Sequence, residues 1–164
     1  VLSLPPELKH VEPSYASLRA AQIPTRESDG SRLDVVAGEV DGLRGPMALS
    51  SSAAFARLRV EPGTVATVKL DASLEMGLYV VEGEASVQDL RLETGMLGLL
   101  GDGSQVSVAA RGGEAVELVL IGGLPVQGDV LFSGPFVMNT HEQLAQGRRD
   151  FAEGRMGTLD GVPF

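Results

Sequence analysis

An all-β barrel of short antiparallel strands, with one helix packed outside it near the C-terminus, is the fold this sequence predicts. Three observations predict it. Turn residues recur at about ten-residue intervals from Pro62 onward. Apolar and polar residues alternate between those turns, the period of half-buried strands. A helical pattern is clear only after Thr140.

The first segment stands apart. Pro5, Pro6, Pro13 and Pro24 break up any long helix or central strand, while Leu2, Leu4, Leu8, Val11, Tyr15 and Ile23 keep it apolar. Residues 1–28 therefore read as a Pro-rich extended linker arm with one short helix at 14–20, lying against its own barrel or a neighbouring domain.

Residues 29–164 read as the barrel domain. Turn signals fall at Asp41-Gly42, Pro62-Gly63, Ala72-Ser73, Gly83, Thr94-Gly95, Asp102-Gly103, Gly112-Gly113 and Gly122-Gly123. Between them, Val68 and Leu70 oppose Thr67 and Lys69; Ala85 and Val87 alternate with Ser86 and Gln88; Val106, Val108 and Ala110 with Gln105, Ser107 and Ala109; and Val116, Leu118 and Leu120 with Ala115, Glu117 and Val119. Leu78-Tyr79-Val80-Val81 is apolar on both faces, which predicts a central strand covered on both sides. The five Met residues are dispersed and read as packing side chains.

The terminal helix is predicted at about 140–153. Thr140-His141-Glu142-Gln143 is a capping-box pattern, Leu144 and Phe151 share a face widened by Ala145 and Ala152, and Gly154 supplies a stop.

Composition narrows the function. A net charge of −9 argues against direct nucleic-acid binding, which depends on Lys and Arg displacing counterions from phosphates. The absence of Cys removes disulfides, thiolate ligands and thiol nucleophiles. No apolar run approaches the roughly 18 residues of a membrane helix. Val1 in first place, with no Met and no basic-then-apolar leader after it, is what a domain cut from a longer chain would show, and cytoplasm is the default location.

Several stretches carry a family resemblance. Gly134-Pro135-Phe136-Val137-Met138-Asn139-Thr140, then the acidic helix and Gly154-Arg155-Met156-Gly157, form the longest. Leu2-Ser3-Leu4-Pro5 with Pro13-Ser14-Tyr15, Tyr79-Val80-Val81-Glu82-Gly83, and Gly122-Gly123-Leu124-Pro125 agree in order. Together they resemble the C-terminal half of the pirin family. The resemblance implies a cupin-type double-stranded β-helix (a jelly-roll barrel), the second of two in a bicupin. It implies that an N-terminal cupin domain, absent from this sequence, holds iron or another divalent transition metal on three His and one Glu. It also implies activity in the parent as a quercetin dioxygenase, or a role as an iron-dependent transcriptional coregulator.

This half lacks the residues for a metal site of its own. A cupin site needs imidazoles and a carboxylate converging from facing strands. Counting back from Tyr79–Gly83 puts Lys69 and Asp71 at the His-x-His positions and Glu75 at the Glu position; an ammonium does not ligate a metal. The two histidines, His10 and His141, read as a loop residue and a solvated helix-start residue. Asp71, Glu75, Glu82 and Glu84 read as solvated carboxylates at turns and strand ends. Gly101-Asp102-Gly103 and Gly112-Gly113 join strand to strand and open no helix, so neither is a phosphate loop.

The expectation is a non-catalytic barrel with no catalytic, cofactor-binding or metal-ligating residues, whose partner is the N-terminal cupin domain. A protein-interaction or coregulator module is the alternative. A barrel that binds a small ligand is a third reading, weakened because the nameable interior residues are Val, Leu and Ala. Phe136 is expected to be buried.

Overall fold

The computed structural model describes residues 4–88 and 90–158, so Leu2 and Ser3 of the N-terminal resemblance lie outside the described residues. The chain divides into two compact units, Leu18–Pro125 and a second made from residues 4–17 and 126–158.

The first unit contains β1 (Thr25–Ser28), β2 (Ser31–Ala37), β3 (Glu39–Val40), β4 (Leu43–Arg44), β5 (Ala53–Val60), β6 (Val65–Lys69), β7 (Glu75–Glu82), β8 (Glu84–Val87), β9 (Leu90–Glu93), β10 (Leu97–Leu99), β11 (Gln105–Ala110) and β12 (Val116–Gly123). A six-stranded sheet runs β1-β2-β5-β12-β7-β10 and a four-stranded sheet runs β6-β11-β8-β9, while β3 and β4 form a separate hairpin. Every pairing between these strands is antiparallel. From β5 to β12 each connection except β8–β9 carries the chain from one sheet to the other. That is jelly-roll winding, the cupin architecture. The sheets are not hydrogen-bonded into a closed barrel, so the fold is a β-sandwich.

The period-two pattern builds its core. Ala54, Ala56, Leu58 and Val60 on β5, Val116, Leu118 and Leu120 on β12, and Met76, Leu78 and Val80 on β7 point inward from the larger sheet. Ala66 and Val68, Val106 and Val108, and Ala85 and Val87 meet them from the smaller one. Leu58, Leu78, Leu118 and Leu120 are fully buried. At about 25 cal/mol per Å² of apolar surface removed from water, this filling is the main stabilising term.

Two glycines show why the sheets cross where they do. Gly83 takes a left-handed φ of +85° between β7 and β8, where a Cβ would meet the Ala115 carbonyl oxygen at 2.6 Å. The turn expected at Gly122-Gly123 is instead the end of β12, paired with β5 and β7. Gly122 is there for close approach: a Cβ would stand 2.1 Å from the Glu75 carbonyl oxygen.

The strand expected to be covered on both sides is covered on one. Leu78 and Val80 of β7 are buried, but Tyr79 is 41% and Val81 42% exposed. Only β10 separates β7 from the sheet edge. At the opposite edge, Asp29-Gly30 makes a two-residue turn with positive φ at both positions, so Thr25–Ser28, the end of the segment read as an arm, pairs with β2 as β1.

No helix forms at 14–20; short 3-10 turns stand at Pro6–Leu8 and Ala20–Gln22 instead. A seven-residue segment with no apolar stripe cannot offset the cost of helix nucleation.

The second unit pairs β13 (Leu131–Ser133) with β14 (Phe136–Met138) and packs α1 (His141–Ala152) on that hairpin. The capping box is present: the Gln143 backbone N–H donates to Thr140 Oγ1 at 3.1 Å, and Gln143 Oε1 accepts from the Thr140 backbone N–H at 3.0 Å. At the other end the Gly154 N–H donates to the Phe151 carbonyl and the Arg155 N–H to that of Asp150, a Schellman pair. Leu144 and Gly147 are the buried helix residues; Phe151, read from sequence as part of the apolar face, is 66% exposed. Phe136 is half-buried, where burial was expected. A two-stranded hairpin with one helix on it leaves part of the ring in solvent, and that ring meets Phe151 edge-on at 6.1 Å.

Candidate functional site

The family resemblance puts the metal-ligand positions of a cupin at the end of β6 and just beyond it. Alternation along this strand buries Ala66 and Val68 and leaves Thr67 and Lys69 exposed. Lys69 therefore lies on the exposed face of β6, away from the packed interior. The side chains directed inward here are Val68 and the half-buried Leu70, with Val106 facing Val68 across β11. None can donate an electron pair, so these residues do not fit a mononuclear transition-metal centre. Among the described residues no group of three or more His, Cys, Asp or Glu is placed to hold a metal.

The other candidates are dispersed. His10 is exposed in the turn after Pro6–Leu8, and His141 is exposed as the first residue of α1. The Asp71 carboxylate accepts from the Ser73 hydroxyl at 2.7 Å and its backbone N–H at 2.8 Å, which together hold it below the ordinary carboxylate range. Glu84 accepts from Arg91 at 2.6 Å. Glu75 and Glu82 are exposed on β7. These acids make no acid–base pair.

Two features do assemble. The first is a cleft of about 1030 Å³ beside the end of β6, walled by the β3–β4 hairpin, the loop through Ser50, Ser51 and Ser52, and Lys69 to Leu74. Lys69 and Asp71 are candidates by sequence; the run Ser50-Ser51-Ser52 is the cleft's other visible signal.

The second is the outer face of the larger sheet. One half is charged. Arg57 clasps Glu117 from β5 to β12, Nε to Oε1 at 2.8 Å, and Asp34 accepts from Thr25 Oγ1 at 2.6 Å and Arg32 Nε at 3.1 Å. Burial opposes the ionisation of Asp34, but the hydrogen bonds from Arg32 and Thr25 and the charges of Arg32 and Arg57 outweigh it and hold the carboxyl below its usual value. The other half is apolar. Leu97, Tyr79 and Val119 lie in one row across β10, β7 and β12, and Leu99, Gly77, Ile121 and Phe55 in the next. Leu97 is 57% and Leu99 82% exposed. Their signal was the apolar run Met96-Leu97-Gly98-Leu99-Leu100, which the turn spacing hid.

Comparison with known proteins agrees with this architecture. The family model described as the pirin C-terminal cupin domain matches residues 55–157. The chain is 28% identical to human pirin over 91% of its own length and 53% of that protein's. It is 30% identical to a pirin-like protein of Solanum lycopersicum, over 91% and 52% respectively. A crystal structure of quercetin 2,3-dioxygenase from Acinetobacter baumannii superposes with a TM-score of 0.86 at 28% identity, covering 96% of this chain and 56% of that one. The chain thus spans about half the length of these relatives. On the extent of the match and the jelly-roll winding that underlies it, this chain belongs to the pirin C-terminal cupin domain family.

Proposed function

We propose that this chain is the non-catalytic second barrel of a two-barrel pirin-like protein, and that it docks against an N-terminal cupin domain through the apolar half of its larger sheet. The observation that carries this reading is the exposed cluster of Tyr79, Val81, Leu97 and Leu99 on the paired strands β7 and β10, where the segment Leu78–Val81 reads from its sequence as covered on both faces. An exposed apolar patch of this kind on a β-sheet marks an interaction surface. The length of the relatives, nearly twice the span matched here, supports a second domain as its occupant.

In this reading the chemistry belongs to the partner barrel. The metal ligands, iron or another divalent transition metal, and a reaction resembling that of a quercetin 2,3-dioxygenase are assigned to it. This half contributes rigidity and shields apolar surface, supplying no ligand, because the positions directed inward at the end of β6 carry Val68 and Leu70.

The test is to measure bound metal and quercetin-dependent O₂ uptake for this chain alone and for the joined two-barrel protein. The expected result is less than about a tenth of an equivalent of metal and no uptake for the chain alone, with both present in the joined protein, since imidazole and carboxylate donors are required. Stoichiometric metal or turnover in the isolated chain would overturn the assignment.

A further inference from the structure

We infer that the cleft beside β6 binds a small monocarboxylate with an apolar body, and that the ammonium of Lys69 is its charge partner. Asp41 forms an ion pair with Arg26 and also accepts the backbone N–H of Lys69 at 3.3 Å, so it is tied to the strand and not to the ammonium. Arg44 reaches Glu39 at 3.3 Å. Asp71 is held by Ser73 through two hydrogen bonds to one oxygen. Among the described residues the Lys69 ammonium has no ion pair or side-chain hydrogen bond, although it lines the cleft on the outward face of β6.

An uncompensated ammonium in an acidic protein is notable because this chain has only one other lysine, Lys9. Beside it, the hydroxyls of Ser50, Ser51 and Ser52 line the same cleft and make no hydrogen bond to the described residues. They leave donors for the second carboxylate oxygen. Met47, Leu49, Leu70 and Leu74 supply an apolar wall against which a ring or short chain can lie. At about 1030 Å³ the space is well above the roughly 300 Å³ at the lower end of small-molecule sites.

The surrounding acids set the charge of the ligand. Glu39, Asp41 and Asp71 stand in the same walls. A dianion would meet their repulsion with only one free cation to offset it. Glu39, Asp41 and Asp71 against Arg44 and Lys69 leave the lining itself with a net charge of −1, so it is the local pairing with the Lys69 ammonium, and not the field of the cleft, that favours one carboxylate and no second.

The experiment is a titration of the full chain followed by amide NMR shifts, with benzoate as the probe, uncharged benzamide as its control and constant ionic strength. Benzoate should move amides within 45–53 and 69–74, and benzamide should not. Lys69→Met should weaken benzoate binding about tenfold, the size of one charge-assisted contact, while Lys69→Arg should keep it within about threefold. Lys69→Gln serves in place of Lys69→Met should the latter fail to fold. The inference is overturned if benzoate moves no amides of the cleft or benzamide moves them equally. It is also overturned if the uncharged variants bind benzoate as the parent does, or if inorganic phosphate displaces benzoate and binds more tightly.

Discussion

Leu97 and Tyr79 stand directly opposite one another on β10 and β7, yet both side by side remain open to solvent, 57% and 41% exposed. Cross-strand apolar pairs normally stabilise a sheet by their contact and by the cover above them. Here the pairing is present and both side chains stay largely exposed. Replacing Leu97 and Leu99 by Lys should therefore change the unfolding free energy of the isolated chain by no more than about 1 kcal/mol. Denaturant titration checks this; a loss above about 3 kcal/mol would place both side chains in a packed core. The same charges should reduce self-association in sedimentation, as Lys does on exposed sheet edges.

Gly122 and Gly103 should respond in opposite ways to the same methyl group. At Gly122 a Cβ would sit 2.1 Å from the Glu75 carbonyl oxygen and 2.6 Å from Met76 Sδ, whereas at Gly103 it meets nothing within 4 Å. Gly122→Ala should cost about 2–3 kcal/mol because backbone must move, and Gly103→Ala should stay within about 0.5 kcal/mol. Equal midpoints for the two variants would refute the close approach of β12 and β7.

Asp34 gives the fold a pH dependence of known sign. A carboxyl held below its ordinary value stabilises the folded state above the unfolded-state value of about 3.9, and that contribution disappears as the pH falls through the lower folded value. Asp34→Asn should therefore cost about 1–2 kcal/mol at pH 7, where the hydrogen bonds to Arg32 and Thr25 involve a charged acceptor. The gap between variant and parent should narrow below about pH 4. A gap that widens on acidification would show that Asp34 is better tolerated neutral.

Thr140→Ala removes the acceptor for the Gln143 N–H and should cost about 1 kcal/mol. Phe136→Ala should cost about 2 kcal/mol, below the 3–5 kcal/mol typical of a fully buried ring, because the ring is half-buried against Gly147 and Phe151. Thermal unfolding followed on α1 reads both; a negligible effect of Phe136→Ala would detach the helix from its hairpin.

What was legible in the sequence was what local chemistry decides. Alternation at Val106, Val108, Val116, Leu118 and Leu120 named the buried faces, and Thr140 with Gln143 named the helix start. The features that escaped depend on what lies across from a residue. Gly122-Gly123 looks like a turn until Glu75 and Met76 are seen pressed against it. Tyr79 and Val81 look central because an apolar side chain does not reveal whether its cover belongs to the same chain. The spacing that sets Lys69 at a ligand position does not say which face of β6 it takes, and the pleat puts it on the exposed one. The Asp29-Gly30 hairpin was within reach, since Asp-Gly between short polar runs is a turn signal, but the prolines before it drew the segment into the arm.

The most direct measurement of the central claim is the affinity between this chain and the N-terminal barrel proposed to accompany it, prepared as separate polypeptides and mixed in a calorimeter. The account predicts a one-to-one complex that Leu97→Asp together with Leu99→Asp weakens at least about tenfold, as removal of apolar anchors at an interface centre does. Undiminished binding by that variant, or no association between the intact halves, would contradict it.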